Sequence, residues 1–388
     1  MTRILYVSNG HGENAIADGI ATEVQALLPT AEMDRLSLVG EGHSAITNAV
    51  GPQRSMPSGG LVTMGHVVNL LRDLRSGLFT LTLAQLRFLR HSRGRYAVVV
   101  AVGDAFALGM ALVARAPVVY IGTAKSVRVA PYGRFEERLL RRARMVFVRD
   151  EPTAARLRKH GIAAEAPGNT IVDIFAGGED SAIDTAANGF TSVVGLLPGS
   201  RAHAYNDAVF LASVFAEAAR GRSGLGALLS IAPNVDSRRM AASLRESGWD
   251  VRETQSPSVP FEASDGVRTL LRAWSGALGP LLRRSTLVLG QAGTANEAAA
   301  AAGLPIIAFD RGIDREHAWY RRRQALLLGE ALIMLSDDRM NAVARLGELL
   351  DDPARRERLG AIGRERMGRP GGTRAIARRI ANMLVETD

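Results

Sequence analysis

The sequence predicts an α/β protein of two domains, each built on a mostly parallel β-sheet covered by helices. The chain has 388 residues, 47% of them hydrophobic and 22% charged, which is enough for two domains with sizeable cores. Short, almost entirely apolar runs alternate with longer helical patterns, as in consecutive βαβ units. A small, polar stretch without periodicity, 173–191, interrupts this alternation. We therefore expect a first domain over 1–173 and a second over 190–369.

The strands are predicted from apolar runs of strand length, and the helices from the amphipathic segments between them. In the first domain the predicted strands are 3–8, 34–39, 96–102, 117–121 and 145–148, and the predicted helices are 14–28, 65–91, 106–115 and 151–160. In the second domain the predicted strands are 192–197, 227–231, 250–252, 286–289 and 305–309, with three helices between 338 and 386. We expect the last helix, about 370–388, to pack back on the first domain. The two sheets should face a common cleft with the carboxyl ends of their strands, where open α/β sheets bind ligands.

Composition narrows the function classes. The formal net charge is +9 at pH 7, but nearly all of the positive charge is arginine, as in proteins from GC-rich genomes, so basicity alone does not indicate nucleic acid binding. The chain has no cysteine, which excludes disulfides, thiolate nucleophiles and cysteine-ligated metals. The longest apolar stretch, 97–114, contains Gly103 and Asp104, so no membrane span is predicted. The absence of cysteine fits a reducing cytoplasm, where we expect the protein. Metal-ligand spacings, a Walker loop and a G-x-S-x-G motif are all absent from the sequence.

The first predicted strand runs into a glycine-containing turn that opens a helix. Gly10, His11, Gly12 and Glu13 follow the strand directly, and such a turn lets a ligand approach the backbone and the free N–H groups of the helix start. A dinucleotide fingerprint would need a third glycine where Ala15 stands. The alternatives are an ordinary βα turn and a loop that binds an acceptor in the cleft.

A carboxylate follows the strand 96–102. Asp104 stands at the start of the next helix, where an aspartate is commonly just an N-cap. The functional interpretation is a general base that faces the cleft. Both roles can coexist in one side chain.

Two loops of the second domain have the character of phosphate sites. Gly199, Ser200 and Arg201 follow a buried strand, and backbone amides beside an arginine fork suit a pyrophosphate. The alternative is an ordinary surface arginine.

Gln291, Gly293, Thr294 and Glu297 follow a later strand. The helix that begins there could hold a diphosphate without a metal, and Glu297 could accept hydrogen bonds from a ribose. The alternative is a capping arrangement in which Glu297 only satisfies the helix start.

These motifs resemble those of the GT-B glycosyltransferases, and among them lipid-A-disaccharide synthase, over nearly the whole chain. Leu196–Arg201 matches the family's Leu-Leu-Pro-Gly-Ser-Arg letter for letter, and 292–297 matches its Ser-Gly-Thr-Ala-x-x-Glu donor motif with the serine replaced by alanine. Less closely, 9–14 stands in place of Gly-Glu-Ala-Ser-Gly-Asp, 103–106 in place of the start of Ile-Asp-Ala-Pro-Asp-Phe-Asn, and 167–173 in place of Gly-His-x-x-x-Asp. The donor side is thus better preserved than the acceptor side.

The resemblance implies a GT-B fold of two Rossmann-like domains and an inverting, metal-independent transfer of a sugar from a UDP-sugar to a lipid-linked acceptor. It implies that Asp104 is the catalytic base and that Arg201 is a catalytic residue on the donor side. No cofactor and no nucleic acid partner are expected, and a homodimer is left open. A non-hydrolysing UDP-N-acetylglucosamine 2-epimerase and a non-catalytic nucleotide-sugar-binding module are the alternatives.

Two basic segments of the first domain predict peripheral binding to an anionic membrane. Leucines alternate with arginines over 61–90, and 125–149 carries Arg138, Arg141 and Arg142 among further arginines. Each basic side chain near an anionic surface contributes about 1 kcal/mol. The alternative is a core helix followed by a solvated helix.

Overall fold

The computed structural model describes residues 2–40, 44–54, 77–201, 203–266, 268–312 and 315–386. The chain divides into two compact units, Met1–Ile174 with Pro370–Asp388 (unit 1) and Phe175–Arg369 (unit 2). The part of the predicted helix 65–91 that precedes residue 77 lies outside the described residues. Within the described ranges, no helix has both the length and the apolar character that a membrane span requires.

Unit 1 is built on a seven-stranded sheet in the order β3-β2-β1-β4-β5-β6-β7, and its neighbouring strands are parallel. The strands are β1 Arg3–Ser8, β2 Glu32–Ser37, β3 Asn48–Ala49, β4 Val98–Gly103, β5 Val118–Gly122, β6 Met145–Val148 and β7 Ala164–Glu165. The helices are α1 His11–Leu27, α2 Leu78–His91, α3 Ala105–Ala111, α4 Arg134–Leu140, α5 Glu151–Lys159 and α6 Thr170–Ala176. A 3₁₀ turn, Leu112–Ala114, extends α3. The central strand β4 is buried along its whole length, as expected for a parallel strand covered on both faces.

Unit 2 is built on an eight-stranded sheet in the order β10-β11-β12-β9-β8-β13-β14-β15. Its strands are β8 Ser192–Leu197, β9 Leu225–Ser230, β10 Asp250–Glu253, β11 Phe261–Ser264, β12 Thr269–Trp274, β13 Leu287–Gly290, β14 Ile306–Asp310 and β15 Leu332–Ser336. Its helices are α7 Ser181–Ala186, α8 Ala204–Ala218, α9 Ser237–Glu246, α10 Leu278–Arg284, α11 Thr294–Ala301, α12 Arg315–Leu328, α13 Arg339–Asp351 and α14 Pro353–Met367. Each unit has its own apolar core, formed between its sheet and its helices.

One edge of the second sheet is antiparallel, since β10, β11 and β12 form a meander. The sequence analysis missed β11 and β12. Burial alternates along β11, with Phe261 and Ala263 inside, so no continuous apolar run marks this strand. Glu262 accepts hydrogen bonds from Arg252 and Arg272 on the two flanking strands, both at 2.9 Å. These cross-strand ion pairs favour the observed pairing.

The stretch expected to lack packed elements, 173–191, contains the end of α6 and the whole of the short helix α7. Ile183 and Ala186 of α7 are buried. Arg283 of α10 donates to the Asp180 carboxylate at 2.7 Å and to the backbone carbonyl oxygens of Ala176 and Gly178, both at 3.0 Å. The polar composition of this stretch therefore reflects a segment held to unit 2 by arginine rather than by a large apolar face.

The last helix, α15 Gly372–Val385, packs on α1 within unit 1. The carboxylate of Asp173 caps the N-terminus of this helix. It accepts hydrogen bonds from the backbone N–H groups of Gly371 at 2.6 Å and Thr373 at 2.7 Å. A Cβ atom at Gly372 would lie 2.3 Å from the carbonyl oxygen of Gly168, so only glycine allows this approach. The segment 167–173 thus has a structural role: it fixes the returning helix to unit 1.

Candidate functional site

The predicted site residues lie at the point in each sheet where the strand order reverses. In unit 1 this point lies between β1 and β4, and in unit 2 it lies between β8 and β13. Loops that leave neighbouring strands at such a point diverge and form a crevice, which is where open α/β sheets bind ligands. Both candidate sites therefore have the position that the fold favours for binding.

In unit 1 the first loop brings a carboxyl group toward the loop after β4. Gly10 has a φ of 116°, a conformation that favours glycine, and α1 begins directly after it. Glu13 lies in the first turn of α1 and is half-buried. Gly12 is exposed, and the side chain of His11 lies outside the described part of the chain.

Glu13 is packed against the end of β4. Gly103 has a φ of 128°, and a Cβ atom there would lie 3.2 Å from Glu13 Cγ. Thr123 Oγ1, after β5, donates to Glu13 Oε1 at 3.4 Å. Burial raises the pKa of the Glu13 carboxyl to about 7, and the negative charge of Asp104 adds to the effect. A carboxyl group with this pKa can hold or release a proton near neutral pH.

Asp104 is an N-cap, and its second oxygen points to the first loop. Oδ1 accepts the backbone N–H groups of Phe106 at 3.0 Å and Ala107 at 3.1 Å, which begins α3. Oδ2 accepts a hydrogen bond from Asn9 Nδ2 at 3.3 Å. Because an ionised carboxylate has about four acceptor positions, Oδ2 retains the capacity to bind a substrate hydroxyl. The cap and a chemical role are therefore compatible in this side chain.

In unit 2 the loop after β8 lies directly beside the loop after β13. Gly199 has a φ of 96°, and a Cβ atom there would lie 3.6 Å from Ala292 Cα. Ser200 and Arg201 are exposed. The Ser200 carbonyl oxygen accepts a hydrogen bond from Asn234 Nδ2 at 2.7 Å, and the Arg201 guanidinium lies 5.8 Å from the centroid of the Tyr320 ring.

The second loop of unit 2 opens α11. Gly293 is the N-cap, Thr294 is exposed and Glu297 is half-buried in the first turn. The Gln291 side chain is hydrogen-bonded to the backbone of β14. It donates to the Phe309 carbonyl oxygen at 3.1 Å and accepts the Phe309 N–H at 3.2 Å. Gln291 therefore joins β13 to β14, and its contact with the donor stays a prediction.

Sequence reasoning missed a buried polar network beneath this loop. Gln324 Nε2 donates to the carbonyl oxygens of Gly293 at 2.8 Å and Ala292 at 3.3 Å, and its Oε1 accepts Asn296 Nδ2 at 3.1 Å. Arg321, one turn earlier on α12, donates to the Gln291 carbonyl oxygen. Burial lowers the pKa of Arg321. The available signal was an arginine and a glutamine three residues apart on one helix, which face the same side.

Comparison with known proteins shows the fold. No protein-family model and no curated protein sequence matches the chain. Similar solved structures include a candidate UDP-N-acetylglucosamine 2-epimerase from Listeria monocytogenes, with a TM-score of 0.60, 12% identity and coverage of 100% of this chain and 98% of that one. MurG from Acinetobacter baumannii has a TM-score of 0.55, 11% identity and 100% coverage of both chains. A spinosyn forosaminyltransferase has a TM-score of 0.54, 16% identity and 99% coverage of both chains.

These neighbours confirm the predicted fold class. The chain has an α/β fold of two Rossmann-like units, and its structural neighbours are of the GT-B type. At these identities the likeness extends to the fold alone. The resemblance to lipid-A-disaccharide synthase in particular stays a prediction.

Proposed function

We propose that the chain is an inverting glycosyltransferase that moves a sugar from a UDP-sugar to a lipid-linked acceptor without a metal ion. The observation that carries this proposal is the position of the motif residues. The Gly199–Arg201 loop adjoins the loop that opens α11 where the strand order of unit 2 reverses, and Asp104 and Glu13 stand at the corresponding point of unit 1. Groups that hold the leaving diphosphate and a carboxylate that acts as base are the two elements that sugar transfer from a nucleotide needs.

In the proposed reaction Asp104 Oδ2 takes the proton of the acceptor hydroxyl. The acceptor oxygen forms a bond with C1 of the sugar, and the bond from C1 to the diphosphate oxygen breaks with inversion. UDP leaves with the electron pair, stabilised by the Arg201 guanidinium and the N-terminus of α11. Burial holds the Glu13 carboxyl protonated up to about pH 7, so Glu13 adds no negative charge beside Asp104, the assigned base.

The substitution Asp104→Asn tests the assignment of the base. It keeps an acceptor for the α3 cap but removes the basic oxygen, so we expect turnover to fall at least about 100-fold while nucleotide binding stays unchanged. The matched control is Asp150→Asn, at the N-cap of α5, because it makes the same change at a helix start outside the site. Equal activity of Asp104→Asn and the unsubstituted protein would exclude Asp104 as the base.

A 2-epimerase is the second candidate, favoured by the likeness to the structure from Listeria monocytogenes. An epimerase converts UDP-N-acetylglucosamine with no acceptor present, whereas a transferase requires one. Incubation with the donor alone, followed by chromatography of the nucleotide sugars, separates the two. A new UDP-hexosamine in that incubation would favour the epimerase and contradict the transferase.

We also propose peripheral binding of unit 1 to an anionic membrane. Arg138, Arg141 and Arg142 are exposed on and after α4, whereas most of 61–90 lies outside the described residues. Sedimentation with anionic and neutral vesicles at low salt tests this proposal, and equal recovery with both would contradict it. Size-exclusion chromatography of the same protein tests the homodimer.

A further inference from the structure

Unit 1 carries a second concave surface, whose lining includes none of the residues of the β1 and β4 loops. It is an open groove of about 890 Å³ between α4 and α5. We call it the arginine groove. Its lining includes Phe135, Glu137 and His160 together with the arginines at positions 134, 138, 141 and 156.

The groove concentrates positive charge that the fold does not use. Its lining contains four arginines and a single carboxylate. Arg134, Arg138 and Arg156 are exposed, and within the part of the chain that the structure describes they have no ion pair or hydrogen bond of their side chains. Three unpaired arginines around one concave surface create a positive potential that attracts anions.

The neighbouring carboxylates are occupied by other partners. Glu136 accepts Lys125 Nζ at 2.6 Å and the Gly133 N–H at 2.8 Å. Glu151, at the start of α5, is paired with Arg158. The groove therefore keeps its positive charge in the folded protein.

The floor of the groove is fixed by contacts between the two helices. The buried Glu137 carboxylate lies 2.7 Å from His160 Nδ1, and Arg141 Nη2 donates to the His160 carbonyl oxygen at 2.9 Å. These two contacts join α4 to the end of α5. A preformed site of this kind loses less entropy when a ligand binds.

An exposed aromatic ring completes the groove. The Phe135 side chain is 72% exposed, and it lies next to the unpaired Arg134 in the sequence. An apolar ring beside a cluster of guanidinium groups suits a ligand with a charged phosphate and an adjoining apolar part.

We infer that the arginine groove binds a phosphate-bearing ligand through Arg134, Arg138 and Arg156. The phosphate is the recognised group, and its source is either a free polyphosphate or the headgroup of an acidic phospholipid. The inference is independent of the proposed sugar transfer, because none of these residues takes part in it.

The test compares two double variants that remove the same charge. Arg138→Ala with Arg156→Ala removes groove residues. Arg93→Ala with Arg378→Ala removes exposed arginines of unit 1 that neither line the groove nor belong to the segments proposed for membrane binding. Inorganic pyrophosphate is titrated into each protein by calorimetry, and each is sedimented with vesicles of phosphatidic acid in phosphatidylcholine. The loops of unit 2 are intact in both variants, so phosphate bound there contributes equally. Circular dichroism verifies that both are folded.

Two charge-assisted contacts are lost in the groove variant, so we expect its affinity to fall at least about tenfold and that of the control variant less than about twofold. A selective loss of pyrophosphate binding identifies a free polyphosphate as the ligand. A selective loss of vesicle binding alone identifies a lipid headgroup. Equal losses in the two variants would show that only general surface charge acts, and no binding of either probe at low salt would also overturn the inference.

Discussion

Glu13→Gln should stabilise the protein at alkaline pH and leave its stability nearly unchanged at acidic pH. Burial raises the pKa of the Glu13 carboxyl from 4.5 to about 7, with a further contribution from the charge of Asp104. The folded protein therefore holds this proton more tightly than the unfolded chain does. Between about pH 4.5 and pH 7 the folded state consequently loses stability as the pH rises, and above pH 7 the whole cost is present.

The size of the effect follows from this difference in pKa. Each pKa unit corresponds to about 1.4 kcal/mol, so the ionised Glu13 side chain costs the folded protein at most about 3 kcal/mol above pH 7. Glutamine has nearly the same shape and carries no charge. We therefore expect the substitution to raise the free energy of unfolding by about 2–3 kcal/mol at pH 8 and by less than about 0.5 kcal/mol at pH 4.

Guanidinium denaturation at pH 4, 6 and 8 measures this dependence. Glu386→Gln is the matched control, because Glu386 is an exposed carboxylate of the same unit and its replacement should have little effect at any pH. A gain for Glu13→Gln of equal size at pH 4 and pH 8 would refute the argument from ionisation. A loss of stability at pH 8 would show that the charged form is stabilised in the folded protein.

Three further substitutions test the backbone of the site and of the last helix. Gly103→Ala places a side chain at a φ of 128° and 3.2 Å from Glu13 Cγ. Thermal denaturation should therefore show that the free energy of unfolding falls by about 1–3 kcal/mol, and an unchanged stability would contradict the expected strain. Asp173→Ala removes the acceptor for two N–H groups at the start of α15. We expect the free energy of unfolding to fall by about 1 kcal/mol and hydrogen exchange in that helix to become faster. Unchanged exchange would contradict the capping role. Gly199→Ala forces alanine to a φ of 96°, so calorimetry should show UDP affinity reduced at least about tenfold in a folded protein, and full affinity would place UDP elsewhere.

Parallel strands buried on both faces could be predicted from the sequence, because their residues form continuous apolar runs. The predicted strands 145–148 and 192–197 have the same bounds in the structure. The half-buried strand Phe261–Ser264 could not be predicted, since polar residues interrupt its apolar side. Its pairing depends on cross-strand contacts of Glu262, which have no local signal.

For the site, the sequence predicted where the candidate residues lie relative to the strands but not what each side chain contacts. A glycine or an aspartate directly after a buried strand is visible locally, and Gly199 and Asp104 were proposed in that way. The contact of Gln291 with Phe309 joins residues 18 positions apart, and the bond from Gln324 to Gly293 spans 31. Such roles, like the raised pKa of Glu13, arise only when the folded chain buries these groups together.

The measurement that tests the central claim most directly is calorimetric titration of the protein with UDP, alongside the Arg201→Ala variant. The account predicts that UDP binds with a Kd below the millimolar range and that Arg201→Ala weakens binding at least about tenfold, because a charge-assisted phosphate contact is lost. If no uridine nucleotide binds at millimolar concentration, or if Arg201→Ala binds UDP as tightly as the unsubstituted protein, the proposed nucleotide-sugar site is wrong.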